Sequence, residues 1–345
     1  MALITLRNGR KIADYTSPYV IAELNTSHFG DLELAKSMVV KAKEVGCDCV
    51  KFQSWNTDTL YAKSFYKGNQ ITKRMINKFS LEQSALKSMA DYSRQIGIDF
   101  SSTPYAREEA DFLVNECQVP FVKIASMELN NLNYLGYLGQ LGVPLVLSTG
   151  MGTLEEIVRA VRTIEETGNQ QIIILHCNST YPLPAAAARL HNIIGLRTEF
   201  PQYPIGYSDH TIGSEISTAA VALGACLIEK HFTLDSNRIG MDNQMASEPA
   251  EMKDLIDKCR LVQLALGGNG RILNETELAQ IPKMRRSLVT ASSLKAGHTL
   301  RETDLEAKRP GTGIPPTESF LVIGRRLLVD LDEGELITLE HFVSN

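Results

Sequence analysis

A chain of 345 residues is long enough for one large core and a smaller second domain, because domains beyond about 250 residues tend to divide. Hydrophobic residues make up 43% and charged residues 22%, and the net charge of -5 is spread without a run of Lys and Arg able to track a phosphate backbone. That composition fits an ordinary globular protein and excludes nucleic acid and anionic membrane as expected partners. No apolar run reaches the ~20 residues of a membrane span, and the first residues lack the basic and apolar regions of a secretion signal. Six cysteines, set mostly in apolar segments, read as reduced thiols, so the expected location is the cytoplasm.

Residues 4–12 alternate apolar and polar side chains about Asn8-Gly9, a strong hairpin signal. From Tyr19 a regular beat follows, in which a short apolar strand leads through a polar loop to an amphipathic helix. Strands are predicted at 19–23, 47–52, 99–102, 121–125, 144–148, 171–176, 203–207 and 225–228. Helices are predicted at 32–45, 81–96, 107–116, 132–141, 154–167, 190–199, 214–223 and 249–266, with a long polar insertion over 55–79. Eight such units fit a (β/α)8 TIM barrel better than an open sheet. No Gly-x-Gly-x-x-Gly opens the first helix, which removes the main reason to prefer a dinucleotide-binding fold. Gly267-Gly268 stops the last helix, a polar linker runs to about Arg285, and the remainder is short segments separated by turn residues. The expected domains are therefore a barrel with its hairpin over 1–285 and a compact, helix-poor domain over 286–345.

In such a barrel the reactive side chains come from the carboxyl ends of the strands. His210 and His231 end the seventh and eighth strands at equivalent positions. Parallel neighbours lie about 5 Å apart, close enough for two imidazoles to share one metal ion at roughly 2 Å from each nitrogen. Without thiolates the remaining positions fall to water or oxygen ligands, which suits a divalent ion such as Mn2+ or Mg2+ acting as a Lewis acid, with zinc still open. Lys51 and Lys123 each follow a buried strand, where an unpaired ammonium is costly. With hydroxyls from Thr103, Ser126, Ser148 and Ser208 they could bind a phosphate and a carboxylate, or they could form internal salt bridges to Glu23 and Glu128. Glu128 and Asp242 are carboxylates able to move protons if burial raises their pKa, and Arg309 precedes a rigid Pro-Gly turn from which it could reach a carboxylate or sugar hydroxyl.

Taken together these segments resemble the sialic acid synthase family, which includes synthases of pseudaminic and legionaminic acids. The resemblance runs through Ala22-Glu23 with His28 and Gly30, Lys51-Phe52-Gln53, Ser102-Thr103-Pro104, Lys123-Ile124-Ala125-Ser126 and Leu147-Ser148-Thr149-Gly150. It continues in Thr180-Tyr181-Pro182, Gly206-Tyr207-Ser208-Asp209-His210, Glu229-Lys230-His231 and Lys308-Arg309-Pro310. It implies a TIM barrel followed by a small antifreeze-like (SAF) domain. It also implies a divalent metal ion on His210 and His231, Mn2+ first with Mg2+ or Co2+ as alternatives. Lys51, Thr103, Lys123, Ser126, Ser148, Ser179, Tyr181 and Ser208 would surround phosphoenolpyruvate. Glu23, Glu128 and Asp242 would face an acetamido-sugar, and Arg309 would arrive from the other subunit of a domain-swapped homodimer. The implied reaction joins phosphoenolpyruvate to an open-chain N-acetylated hexosamine, with loss of phosphate by carbon–oxygen cleavage. Two segments depart from the family pattern, Glu23-Leu24-Asn25-Thr26-Ser27-His28 where many members have Glu-Ile-Gly-x-Asn-His, and Ile239-Gly240-Met241-Asp242 where sialic acid synthases have Pro-Gly-Pro-Asp. Another phosphoenolpyruvate-using or metal-dependent barrel synthase with a different acceptor is the alternative.

Overall fold

The computed structural model describes residues 2–268 and 270–342. These fall into two compact units, Met1–Gly267 and Gly268–Asn345. The first opens with the hairpin β1 (Leu3–Thr5) and β2 (Lys11–Ala13), paired antiparallel with Ile4 opposite Ile12. Gly9 at φ 86° makes the turn, in a backbone region that a Cβ disfavours, and Asn8 Oδ1 accepts from the Arg10 backbone N–H at 3.0 Å.

Eight parallel strands follow. In chain order they are β3 (Tyr19–Glu23), β4 (Cys49–Ser54), β5 (Asp99–Pro104), β6 (Val122–Ile124), β7 (Leu145–Ser148), β8 (Ile172–Cys177), β9 (Ile205–Asp209) and β10 (Leu227–His231). The ladder runs β5-β4-β3-β10-β9-β8-β7-β6, and its two ends meet where Ser101 Oγ donates to the Phe121 carbonyl at 2.9 Å. This is the predicted TIM barrel.

The helices between the strands begin with α1 (Leu32–Val45). Asp31 caps α1 by accepting from the N–H groups of Glu33 and Leu34, and Gly46 at φ 97° ends it. The predicted insertion is itself helical, as α2 (Thr57–Leu60), α3 (Lys63–Gly68) and α4 (Gln70–Phe79). They close over a small apolar centre of Trp55, Tyr66 and Ile76. The remaining barrel helices are α5 (Gln83–Ile96), α6 (Arg107–Asn115), α7 (Leu132–Gln140), α8 (Leu154–Glu165), α9 (His191–Glu199), α10 (Glu215–Ala222) and α11 (Pro249–Leu266).

Side chains alternate across each strand, and the eight barrel strands are buried on both faces. The outward set, including Val20, Val50, Phe52, Ile174, Tyr207 and Ile228, packs against the helices. The inward set starts apolar at the amino end, where Tyr19, Cys49, Phe121, Val146, Ile173 and Leu227 meet the hairpin residues Ile4, Leu6 and Ile12. The hairpin thus plugs one end of the cylinder.

The second unit contains α12 (Glu275–Met284), where the sequence pattern had suggested a linker, capped by Asn274 Oδ1 on the Glu277 N–H at 2.7 Å. Two short antiparallel strands follow, β11 (Ser287–Thr290) and β12 (Leu305–Lys308). Their core includes Leu288, Leu300, Val322, Leu331, Ile337 and Phe342, and among the described residues the unit's helical segments other than α12 are short 3-10 turns. Among the described residues no helix is long and apolar enough to cross a membrane.

One ion pair is built into the barrel wall. Lys230 and Asp209 are both fully buried, with Nζ 2.9 Å from Oδ2. Asp209 also accepts from Ser217 Oγ and from the backbone N–H and hydroxyl of Thr211. Lys230→Met should lower barrel stability by about 3 kcal/mol, the low end of the cost of breaking a buried pair, because Asp209 keeps three donors. A urea unfolding curve unchanged from wild type would contradict this.

Candidate active site

Where the inward face reaches the carboxyl end of the strands, its chemistry changes from apolar to ionised. Register does this directly, since Glu23 pairs with Lys51 across β3 and β4, Gln53 with Thr103 across β4 and β5, and Ser208 with Glu229 across β9 and β10. Four charged side chains, each under a tenth exposed, interleave there. Lys51 Nζ contacts Glu23 Oε2, donates to Thr103 Oγ1 at 3.0 Å and lies 3.8 Å from Glu229 Oε2. Lys123 Nζ donates to Ser148 Oγ at 2.6 Å and lies 3.8 Å from Glu229 Oε1. Glu229 Oε1 accepts from Ser208 Oγ at 2.8 Å, and its Oε2 has no hydrogen-bond donor among the described residues.

These contacts divide the protonation states. Burial raises Glu23 to about 7, overcoming the pull of Lys51, and the Glu229 charge adds to the rise. For Glu229 burial is again the largest influence, but Lys123, Lys51 and the Ser208 hydroxyl together outweigh it and hold the carboxyl at about 2. Burial pulls Lys51 down, yet Glu23 and Glu229 leave it raised, whereas Lys123 ends lowered by burial. Near neutral pH two ammonium groups therefore face one committed carboxylate and one carboxyl poised to change state. That balance leaves the mouth of the barrel cationic and suited to an anion.

Beside this cluster, β9 and β10 pair with Asp209 opposite Lys230, which brings the next residues, His210 and His231, side by side with ring centroids 5.5 Å apart. The His210 Nδ1–H donates to the Asn178 carbonyl at 2.7 Å, which leaves Nε2 with its lone pair. Burial lowers the pKa of both rings, so they are held neutral, the state in which imidazole binds metal. Two neutral nitrogens on one wall fit a divalent ion whose other ligands are water or substrate oxygen. No group of three or more His, Cys, Asp or Glu among the described residues forms a closed site. The Tyr181 ring lies 4.2 Å from that of His210.

The cavity that joins these groups has a volume of about 390 Å³. Its lining includes Glu23, Lys51, Thr103, Lys123, Ser126, Ser148, Ser179, Tyr181, Ser208, His210, His231 and Asp242, all predicted site residues. Glu128 stands outside the lining, buried, with Oε2 accepting from Asn131 Nδ2 at 2.9 Å and its pKa raised by burial. Arg309 belongs to the second unit, where it is exposed and followed by a cis peptide to Pro310. Glu229, which the sequence shows only within the resembling segment Glu229-Lys230-His231, is a site residue that the sequence reading does not single out. Its position two residues before His231 puts both on the inward face, which was the available signal. Asn25, Gln53, Tyr105 and Cys177 also line the cavity, as do Trp55, Leu60 and Tyr61 from the insertion.

A TIM barrel whose carboxyl rim gathers two lysines and a histidine pair in one cavity defines the class, a barrel enzyme. The chain belongs to the NeuB family, whose model matches residues 38–271, and residues 285–343 match a SAF domain. It is 36% identical to the N,N'-diacetyllegionaminic acid synthase of Legionella pneumophila, covering 94% of each chain. It is 33% identical to the N-acetylneuraminate-9-phosphate synthase of Mus musculus, over 98% of this chain and 96% of that one. Among solved structures it is similar to the N-acetylneuraminic acid (sialic acid) synthetase of Leptospira borgpetersenii in complex with citrate, with a TM-score of 0.75 and 31% identity, covering 81% of this chain and 95% of that one.

A raised carboxyl pKa favours folding when protonated. The Glu23 contribution is complete below its ordinary value of 4.5 and is lost as pH rises through about 7. Wild type should therefore lose stability relative to Glu23→Gln across that window. Melting temperatures whose difference does not change between those two pH values would contradict the assignment.

Proposed function

We propose that the protein condenses phosphoenolpyruvate with an open-chain N-acetylated hexosamine, N-acetylmannosamine or a 2,4-diacetamido-hexose, to give a nine-carbon 2-keto acid and inorganic phosphate. The observation that carries this reading is the Lys51–Glu229–Lys123 cluster beside the neutral histidine pair within one cavity. Lys51 and Lys123 supply the charge for the phosphate and carboxylate, and the hydroxyls of Thr103, Ser126, Ser148, Ser179 and Ser208 supply hydrogen bonds around them. His210 and His231 would hold a divalent ion, Mn2+ first with Mg2+ or Co2+ as alternatives, and such an ion supplies Lewis-acid polarisation of an aldehyde oxygen.

In the reaction a bond forms between carbon 3 of phosphoenolpyruvate and the aldehyde carbon, whose oxygen gains a proton. Water adds at carbon 2, and the bond from carbon 2 to the phosphate oxygen breaks. Glu229, ionised and with Oε2 free of donors, stands ready to stabilise positive charge at carbon 2 as it develops. Glu23 and Asp242, both raised by burial, are the groups able to hold the transferred proton.

Phosphate release should be seen with phosphoenolpyruvate, Mn2+ and at least one acetamido-hexose, and should stop when a chelator strips the metal. Lys123→Met should lower kcat/KM by about 100-fold, because it leaves Glu229 with a weakened partner and the phosphate with one cation fewer. No release with any acetamido-sugar would remove the reading.

We infer further that the working form is a domain-swapped homodimer in which Arg309 of one subunit serves the cavity of the other. Lys123→Met and Arg309→Ala, each nearly inactive alone, should regain activity when unfolded together and refolded as a mixture. A mixture no more active than its components would count against the exchange.

A further inference from the structure

Asn25 occupies the turn after β3 at φ 39°, the left-handed region where glycine is at home and asparagine is the best tolerated alternative. A side chain held there needs a compensating contact, and two are present. Its backbone N–H donates to Glu23 Oε1 at 2.8 Å, and its Nδ2 donates to Asp242 Oδ2 at 2.5 Å, across 217 residues of chain. One residue thus touches both carboxyls that line the cavity on this side.

The loop carrying Asp242 is fastened by other means. Asn243 Nδ2 donates to the carbonyls of Asp235 and Arg238, each at 2.8 Å, and the Arg238 guanidinium lies over the Phe29 ring at 3.9 Å. The Asp242 carboxylate, by contrast, receives its side-chain hydrogen bond from Asn25. Turning the Asn25 amide over would set oxygen against oxygen, so its orientation is fixed by chemistry. Nδ2 is committed, while Oδ1 takes no hydrogen bond from the described residues and belongs to a residue lining the cavity.

We propose that Asn25 is an acceptor-binding residue, whose Nδ2 orients Asp242 and whose Oδ1 receives a hydrogen bond from a hydroxyl or acetamido N–H of the sugar. This rests on the condensation reading and deepens it, because it assigns affinity for the sugar to a residue apart from the lysines that serve phosphoenolpyruvate.

The test compares wild type with Asn25→Gly and Asn25→Asp in the full-length, Mn2+-loaded protein, varying N-acetylmannosamine or a 2,4-diacetamido-hexose and phosphoenolpyruvate separately. Glycine keeps the backbone conformation and removes the amide, and aspartate keeps the shape but sets a carboxylate against Asp242. Both should raise the acceptor KM by about 10- to 100-fold, the scale of a lost hydrogen bond to a charged group, with the phosphoenolpyruvate KM unchanged. A merely structural residue would move both KM values or neither. An unchanged acceptor KM in both variants, or equal rises for both substrates, overturns the proposal. Wild type inert toward every acetamido-sugar takes down the condensation reading and this inference together, whereas an active wild type with unaltered variants takes down the inference alone.

Discussion

Two ammonium groups and two carboxylates are withdrawn from water together at the mouth of the barrel, and the rest of the site depends on how they share their charge. An isolated ion in that position would cost several kcal/mol to desolvate. Glu229 makes the arrangement tolerable by standing 3.8 Å from both Lys51 and Lys123, with Lys51 also against Glu23. The compensation is incomplete, because burial leaves Glu23 near 7 while Glu229 stays ionised at about 2. An entering anion would offset the remaining positive charge, so its binding and electrostatic relief would be one event. The groups are fixed before substrate arrives, which is the condition for charge stabilisation without reorganisation.

The backbone accounts for this placement. In a closed parallel sheet each strand offers alternate residues to the interior. Lys51 and Gln53 on β4, Glu229 and His231 on β10, and Ser208 on β9 are therefore all inward, while Lys230 and Asp209 between them face the helices as a separate, fully buried pair. Below the charged layer, Tyr19, Phe121, Val146 and Leu227 meet the hairpin plug in an apolar cluster. The low-dielectric floor strengthens the interactions above it.

The beat of short apolar strands and amphipathic helices, with polar residues at the strand ends, was legible in the chain, and it carried the barrel, the histidine pair and the lysines. The role of Glu229 was hidden because the lysines' partner was sought among Glu23 and Glu128, each near a lysine in a strand-end segment. In space Glu229 reaches both lysines, and Glu128 turns instead to Asn131 three residues on. Within the polar insertion α2 and α3 are too short to show a helical stripe, and they are held by tertiary contacts. Asn56 N–H and Thr59 Oγ1 both bond to Glu109 Oε1, on the far side of β5 in sequence. Helix α12 was missed behind a Gly-rich stretch, although Asn274 with acidic residues in the following turn is an N-terminal capping signal.

The two halves of the cavity were unequally legible for a physical reason. Lys51, Thr103, Lys123, Ser148 and Ser208, proposed above for phosphoenolpyruvate, are strand-borne, so register transmits a sequence pattern directly into geometry. Asn25 and Asp242, proposed for the sugar, lie outside the strands, where the sign of one φ angle decides which side chains meet. Asn25 meets Asp242 where its backbone turns left-handed after β3, an angle that the alternation of a strand does not set. Strand-borne groups cannot move without breaking the barrel, whereas turn residues can change with little effect on the core. Variation in the acceptor should therefore be found in the turns, and the charge cluster should tolerate little.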